Sequence, residues 1–264
     1  MAAAPADDPS PPPANTPVTG APVPVAPVTV ALVVGATGYV GGAVVAEARA
    51  RGLVVLAHAR ADSPRLARRR AEFERLGAEI VTTPWEGAAF RALIDARGVS
   101  IVFLCLGTTR RRMLSREASG ARPSYESVDS ELSRLVIDAA ASSAAPPRVV
   151  LVSTARANAR SRWRYLAVRG RLEEHLTSSG VPWTIARPSF ISGPDRDEFR
   201  PLERLGAQVA DWSLLWLAVL GMQILRERYR SIGAGELAKA LVSYGREPSA
   251  AGKIVHGERL RDFP

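Results

Sequence analysis

The chain has 264 residues, a hydrophobic fraction of 47%, a charged fraction of 23% and a formal net charge of +9. It is long enough for one sizeable core of ordinary globular composition, and its single cysteine, Cys105, excludes an internal disulfide framework and fits a reducing compartment. The positive charge comes almost wholly from arginine, with clusters at Arg65 with Arg68 to Arg70 and at Arg110 to Arg112. No aromatic interleaving and no nucleic-acid motif accompany them, so they read as solvated surface and no nucleic-acid partner is expected.

Residues 1–27 hold nine prolines, seven alanines and two acidic residues, without Lys or Arg. Such a segment buries too little surface to offset its ordering entropy and reads as a disordered tail. It lacks the positive start and apolar centre of a signal peptide, so a cytoplasmic location is expected. Val28 to Val34 then forms a buried strand that runs into Gly35, Gly38 and Gly41 and on into a helix from Tyr39 to Arg51. A helix start has unpaired N–H groups and partial positive charge, and glycines let a phosphate approach it. The turn made by Gly35, Thr37, Gly38, Tyr39, Val40 and Gly41 is therefore the candidate dinucleotide cradle, because strand and helix flank it as that function requires.

Leu53 to Ala59 is a second strand, followed by Arg60. In dinucleotide folds an acidic residue at this strand end holds a ribose 2′-hydroxyl, whereas an arginine accommodates a 2′-phosphate. Arg60 thus favours NADP(H), with NAD kept open by Asp62 two residues on, and a plain surface arginine as the bland alternative. Arg65 to Leu76 is helical, Ala78 to Thr82 a short strand, Ala88 to Arg97 a helix ending at Gly98, and Ile101 to Leu106 a wholly apolar strand. Cys105 lies within that run and reads as a buried inert thiol. Alternating strands and helices, with the strands apolar throughout, predict an α/β fold: a doubly wound Rossmann parallel sheet covered on both faces. Ligands bind at the carboxyl ends of such strands, which places Leu106, Gly107 and Thr108 beside the cofactor unless they are a mere turn.

Ser127 to Ser143 is a long helix and Val149 to Val152 a strand, with Ser153 and Thr154 at its end. Tyr165 follows twelve positions after Ser153 on the next helix, so both hydroxyls could face one pocket, although a serine at a strand end is often only a turn residue. Trp183 to Ala186 is a sixth strand, stopped by Pro188. Residues 212–225 are the most apolar stretch but are only fourteen long, too few to span a bilayer. They fit a substrate-pocket wall or a subunit contact of a homo-oligomer, or a peripheral membrane contact aided by Arg226, Arg228 and Arg230. Ile232 returns to the core, Gly235 to Tyr244 is an amphipathic helix and Lys253 to His256 a closing strand. His58, His175 and His256 are scattered without ligand spacing, so no metal site is expected.

Four segments together resemble the atypical short-chain dehydrogenases: Gly35-Ala-Thr-Gly-Tyr-Val-Gly41, Cys105-Leu-Gly-Thr-Thr-Arg110, Tyr165-Leu-Ala-Val-Arg-Gly-Arg-Leu-Glu173 and Arg187-Pro-Ser-Phe-Ile-Ser-Gly193. The Tat-interacting oxidoreductase-like subgroup is the most similar. The resemblance spans roughly residues 28–256 and implies a Rossmann domain that binds NADPH, with a small C-terminal substrate-covering region around 188–230. It places a Ser or Thr at the end of the fifth strand, a Tyr on the next helix and a Lys four residues later; Ser153 and Tyr165 fill the first two positions and Arg169 stands in the third. It also sets the backbone near Pro188 against the nicotinamide. A tyrosine that must exchange a proton near neutral pH needs a fixed cation nearby, since that favours the phenolate. Arg169 keeps the charge but replaces a compact ammonium with a planar fork. The resemblance therefore implies an NADP(H)-dependent oxidoreductase acting on a small carbonyl-like substrate, with Tyr165 as acid, Ser153 (or Thr154) holding the oxygen, and Arg169 assisting. The alternative is a non-catalytic NADP(H)-binding sensor or scaffold.

Overall fold

The computed structural model describes residues 28–107, 125–189, 191–192 and 231–263. The expectations placed on the 1–27 tail, on Thr108, on Arg110 to Arg112 and on the 212–225 stretch lie outside these residues.

Strands β1 (Val30–Val34), β2 (Val54–His58), β3 (Glu79–Val81), β4 (Val99–Leu104), β5 (Arg148–Val152), β6 (Trp183–Arg187) and β9 (Lys253–His256) form one sheet in the order β3-β2-β1-β4-β5-β6-β9. Every pairing in it is parallel. A separate parallel pair joins β7 (Ile191–Ser192) to β8 (Ile232–Gly233). The helices are α1 (Tyr39–Ala50), α2 (Leu66–Arg75), α3 (Gly87–Arg97), α4 (Tyr125–Ala141), α5 (Arg164–Ser178) and α6 (Ala234–Arg246).

Side chains alternate across a strand, so each strand feeds two cores. Ala31 and Val33 pack with Val44, Val45 and Ala48 of α1, Phe73 of α2, and Leu237 and Leu241 of α6. Leu32 and Val34 pack on the opposite face with Phe90 and Ile94 of α3, Val136 and Ile137 of α4, and Leu172 and Leu176 of α5. With both faces covered, residues 31–34 are wholly buried, which is why the strand reads as an unbroken apolar run. Burial of each such Val or Leu contributes about 1.5–3 kcal/mol before entropy is counted. β4 begins at Val99 rather than Ile101, because its ladder to β1 already starts at the Val30–Val99 pair, and it ends at Leu104. No helix among the described residues is long and apolar enough to cross a membrane.

His58 closes β2 and is 1% exposed. Its ring lies 4.8 Å from that of Trp85 and 4.9 Å from that of Phe90, centroid to centroid. Nε2 is 2.9 Å from the Thr83 carbonyl, which can only accept, so Nε2 carries the proton. Nδ1 is buried without a hydrogen-bond partner. Burial lowers the pKa of the imidazole from its ordinary 6.5, outweighing the Thr83 contact. The unfolded chain thus takes up this proton before the folded one does. The stability His58 contributes is complete above about pH 6.5 and declines as pH falls below it, by at most about 1.4 kcal/mol per pH unit. Urea unfolding at about pH 7.5 and pH 5.5 should show a smaller acid loss for His58→Gln than for the parent; identical losses would refute this.

Candidate functional site: the crevice at the carboxyl edge of the sheet

The order of the strands reverses between β1 and β4, and ligand crevices open at such a switch point. Gly35 leaves β1 with φ +85°, a left-handed conformation that side chains with a Cβ disfavour. Gly38 N–H donates to Gly35 O at 3.0 Å, and Ala36 N–H donates to His58 O at 3.2 Å, tying the turn to β2. A Cβ on Gly41 would stand 2.1 Å from Gly35 O, so only glycine lets α1 begin this close to the strand. No side chain caps α1, and its first turn holds no acidic residue. A pyrophosphate fits that start: it would meet the positive end of the helix with no protein anion competing.

At the β2 end, Arg60 is exposed and its Nε lies 3.8 Å from Asp62 Oδ1, with both side chains more than half exposed. A solvated pair of this kind is weak and leaves the guanidinium available to a stronger anion. Sequence reasoning missed Arg69, whose guanidinium packs over Gly42 in the first turn of α1 while donating to Glu72 at 2.7 Å. Its signal was present only as one arginine among several in a helix. At the β4 end, Cys105, Leu106 and Gly107 line the turn, and Cys105 O is the nearest atom to a Cβ built on Gly35. Cys105 is half-buried as a residue, but desolvation pushes its thiol up to about 12, which suits an inert group.

The candidate hydroxyls and cations meet where β5, β6 and α5 converge. Ser153 is 6% exposed and donates its hydroxyl to Glu173 Oε1. Glu173, itself 4% exposed, also accepts from Arg187 Nε at 3.1 Å and Nη2 at 2.5 Å. This bidentate pair links the end of β6 to α5, and buried charges demand such pairing. Glu173 and Arg187 lay inside segments already singled out, yet only the folded geometry brings them to Ser153. Arg169, one helical turn before Glu173, is 8% exposed and donates from Nη2 to Leu106 O at 3.1 Å. Its guanidinium carbon stands 5.8 Å from the centroid of the Tyr165 ring. That one carbonyl is the only acceptor its five N–H donors find among the described residues, so a buried cation beside Gly107 keeps donor capacity for a ligand. The hydroxyls of Tyr165 and Thr154, both residues half-buried, have no hydrogen-bond partner among the described residues. Pro188 is buried, and its carbonyl accepts from Ala155 N–H at 3.0 Å. Arg60 lies apart, at the end of β2.

A seven-stranded parallel sheet in this order, with an uncapped glycine turn at its switch point, defines a Rossmann-like dinucleotide-binding protein. Over residues 35–211 the sequence matches the family described as NAD(P)H-binding, and the chain belongs to that family. Among curated proteins it is similar to Protein FMP52-1, mitochondrial, of Scheffersomyces stipitis, with 35% identity over 100 residues, which is 38% of this chain and 41% of that protein. The chain thus matches about two fifths of that relative's length. Among solved structures it resembles one described as an NAD-dependent epimerase/dehydratase from Bacillus halodurans, with a TM-score of 0.57, 16% identity, and coverage of 89% of this chain and 99% of that one. It also resembles the triphenylmethane reductase of Citrobacter sp., with a TM-score of 0.56, 15% identity, and coverage of 86% and 68%. At these identities the two structures share the fold with this chain.

Proposed function

We propose that the chain is an NADP(H)-dependent oxidoreductase of the atypical short-chain dehydrogenase type, similar to the Tat-interacting oxidoreductase-like subgroup, that reduces a small carbonyl compound. The observation that carries this is the convergence of Tyr165, Arg169 and the Leu106–Gly107 turn at the edge where the glycine turn opens. A nicotinamide held in this crevice would supply the hydride to the carbonyl carbon. Tyr165 gives a proton to the carbonyl oxygen, and the Thr154 hydroxyl, unpartnered among the described residues, holds that oxygen, because Ser153 spends its own proton on Glu173. Arg169 fixes a positive charge beside the phenol and offers its remaining donors to the ribose. The Glu173–Arg187 pair holds α5 against β6, so the tyrosine helix keeps its distance from the strand ends.

A non-catalytic NADP(H)-binding role has its own support: the Ser153 hydroxyl and one Arg169 donor are already engaged by the protein. NADPH absorbance with a panel of aldehydes, ketones and quinones separates the two. Consumption with at least one compound is expected, whereas tight NADPH binding with no consumption would leave only the sensor or scaffold role. Cofactor preference is tested by Arg60→Ala, which should weaken NADPH by about tenfold or more and NADH by much less, since a charge-assisted contact to a phosphate is worth about 1.5–3 kcal/mol. Equal losses would remove Arg60 from the 2′-phosphate site.

A further inference from the structure

Between Asp138 and Glu173 the sequence has seven arginines and no acidic residue. Three of them, Arg156, Arg160 and Arg162, stand on the loop that joins β5 to α5, and all three are exposed. None has an ion pair or side-chain hydrogen bond among the described residues. Trp163 closes the same loop at the start of α5, two residues before Tyr165, and is 70% exposed. The loop is held rather than loose. Asn158 N–H donates to Leu166 O at 3.1 Å, Ser161 N–H to Asn158 O at 2.9 Å, and Trp163 N–H to Ser161 Oγ at 3.1 Å.

Arg156 is the one non-glycine residue among those described with a positive φ, at 63°. That left-handed conformation is strained for any residue with a Cβ, and it is over-determined here by Ala155 N–H to Pro188 O at 3.0 Å and Ala157 N–H to Thr154 O at 3.3 Å. The backbone at this point suits glycine, yet the position presents a guanidinium. Arg156 follows Thr154 by two residues, so their Cα atoms are at most about 7 Å apart. Arg156 therefore stands, exposed, on the backbone next to Thr154, at the rim of the crevice that holds the Tyr165 and Thr154 hydroxyls.

Resting on the oxidoreductase reading, we propose that the substrate carries an anionic group, a carboxylate or a phosphate, bound at this rim by Arg156, Arg160 and Arg162. A guanidinium fork matches both groups in bidentate geometry. Three such cations with no opposing carboxylate on the loop create a positive field that draws anions to the crevice and disfavours cationic substrates. The exposed Trp163 indole adds an apolar surface for the body of an aromatic or unsaturated carbonyl compound.

The test is calorimetric titration of the full chain saturated with NADP+, which cannot reduce an aldehyde, so binding is read without turnover. The probes are 4-formylbenzoate, 4-formylphenyl phosphate and uncharged 4-methylbenzaldehyde. At least one anionic probe is expected to bind about tenfold or more tightly than the neutral one, with the preference shrinking as salt rises from about 50 to about 300 mM. The two anionic arms decide between carboxylate and phosphate. Arg156→Gly should cut the preference about threefold or more without lowering Tm, because glycine accepts the left-handed backbone that arginine strains. The triple variant Arg156→Gly, Arg160→Gln, Arg162→Gln should abolish it. Equal binding of charged and neutral probes, no anionic binding tighter than about 10 mM, or an unchanged preference in the triple variant would each overturn the proposal. If NADP+ itself fails to bind, the oxidoreductase reading falls instead, and the same titrations on the cofactor-free chain still judge the arginine rim.

Discussion

Tyr165→Phe is expected to cut turnover by roughly 10²–10⁴-fold while leaving NADPH affinity within about threefold of the parent. The substitution removes one oxygen from a half-buried ring whose hydroxyl has no protein partner among the described residues, so no buried group is orphaned and little stability is lost. The Arg169 guanidinium retains its Leu106 contact and can still lie over a phenyl ring, which keeps the cofactor side of the pocket in place. Only the exchangeable proton disappears. Measured together, NADPH affinity by fluorescence and kcat on the best compound of the panel separate chemistry from binding. Turnover unchanged in the variant would strip Tyr165 of its role, and a parallel collapse of NADPH affinity would assign the ring to binding instead.

Gly41→Ala should have the other large effect, on the cofactor rather than on the chemistry. The added methyl would meet Gly35 O at 2.1 Å, Gly35 C at 2.8 Å and the Ala36 Cα at 3.0 Å, all backbone atoms that cannot rotate aside. Either α1 retreats from β1 or the turn opens, and in both cases the helix start no longer faces the phosphate as built. A loss of NADPH affinity of about 100-fold is expected, along with a destabilisation of about 1–3 kcal/mol from overpacking. Gly42→Ala is the internal control. There the nearest atoms to the methyl would be the guanidinium end of Arg69, at 3.0 Å, which can swing away. The Tm shift produced by saturating NADPH should vanish for Gly41→Ala and persist for Gly42→Ala. Equal shifts in the two variants would show that the close approach at Gly41 is not what shapes the cradle.

The fold was legible in the sequence because a strand buried on both faces must be apolar at consecutive positions, as Leu32 to Val34 and Val149 to Val152 are. The glycine turn was legible because its spacing follows from steric demands that only glycine meets. Element ends were less so: ladder pairing with a neighbour, which no local pattern encodes, extends β4 back to Val99. The Ser153–Glu173–Arg187 network stayed hidden for the same reason. It depends on a residue on the inner side of α5 meeting two strand ends, a juxtaposition that spacing along the chain does not reveal. Arg156 was hidden differently, since arginine is no signature of a left-handed backbone and nothing in its neighbours marks the turn.

The apolar side of α1, whose N-terminus faces the crevice, rests largely on α6, almost two hundred residues further along. Arg51, just past the end of α1, donates to the Ser243 hydroxyl of α6 at 2.6 Å, spanning 192 positions of sequence. A growing chain that has not yet released Ala234 to Arg246 therefore exposes Val44, Val45 and Ala48 to water and cannot hold the glycine turn firmly against β1. The glycine turn and α1 come first among the described elements, yet the packing that seats α1 is complete only once Ala234 to Arg246 has joined it.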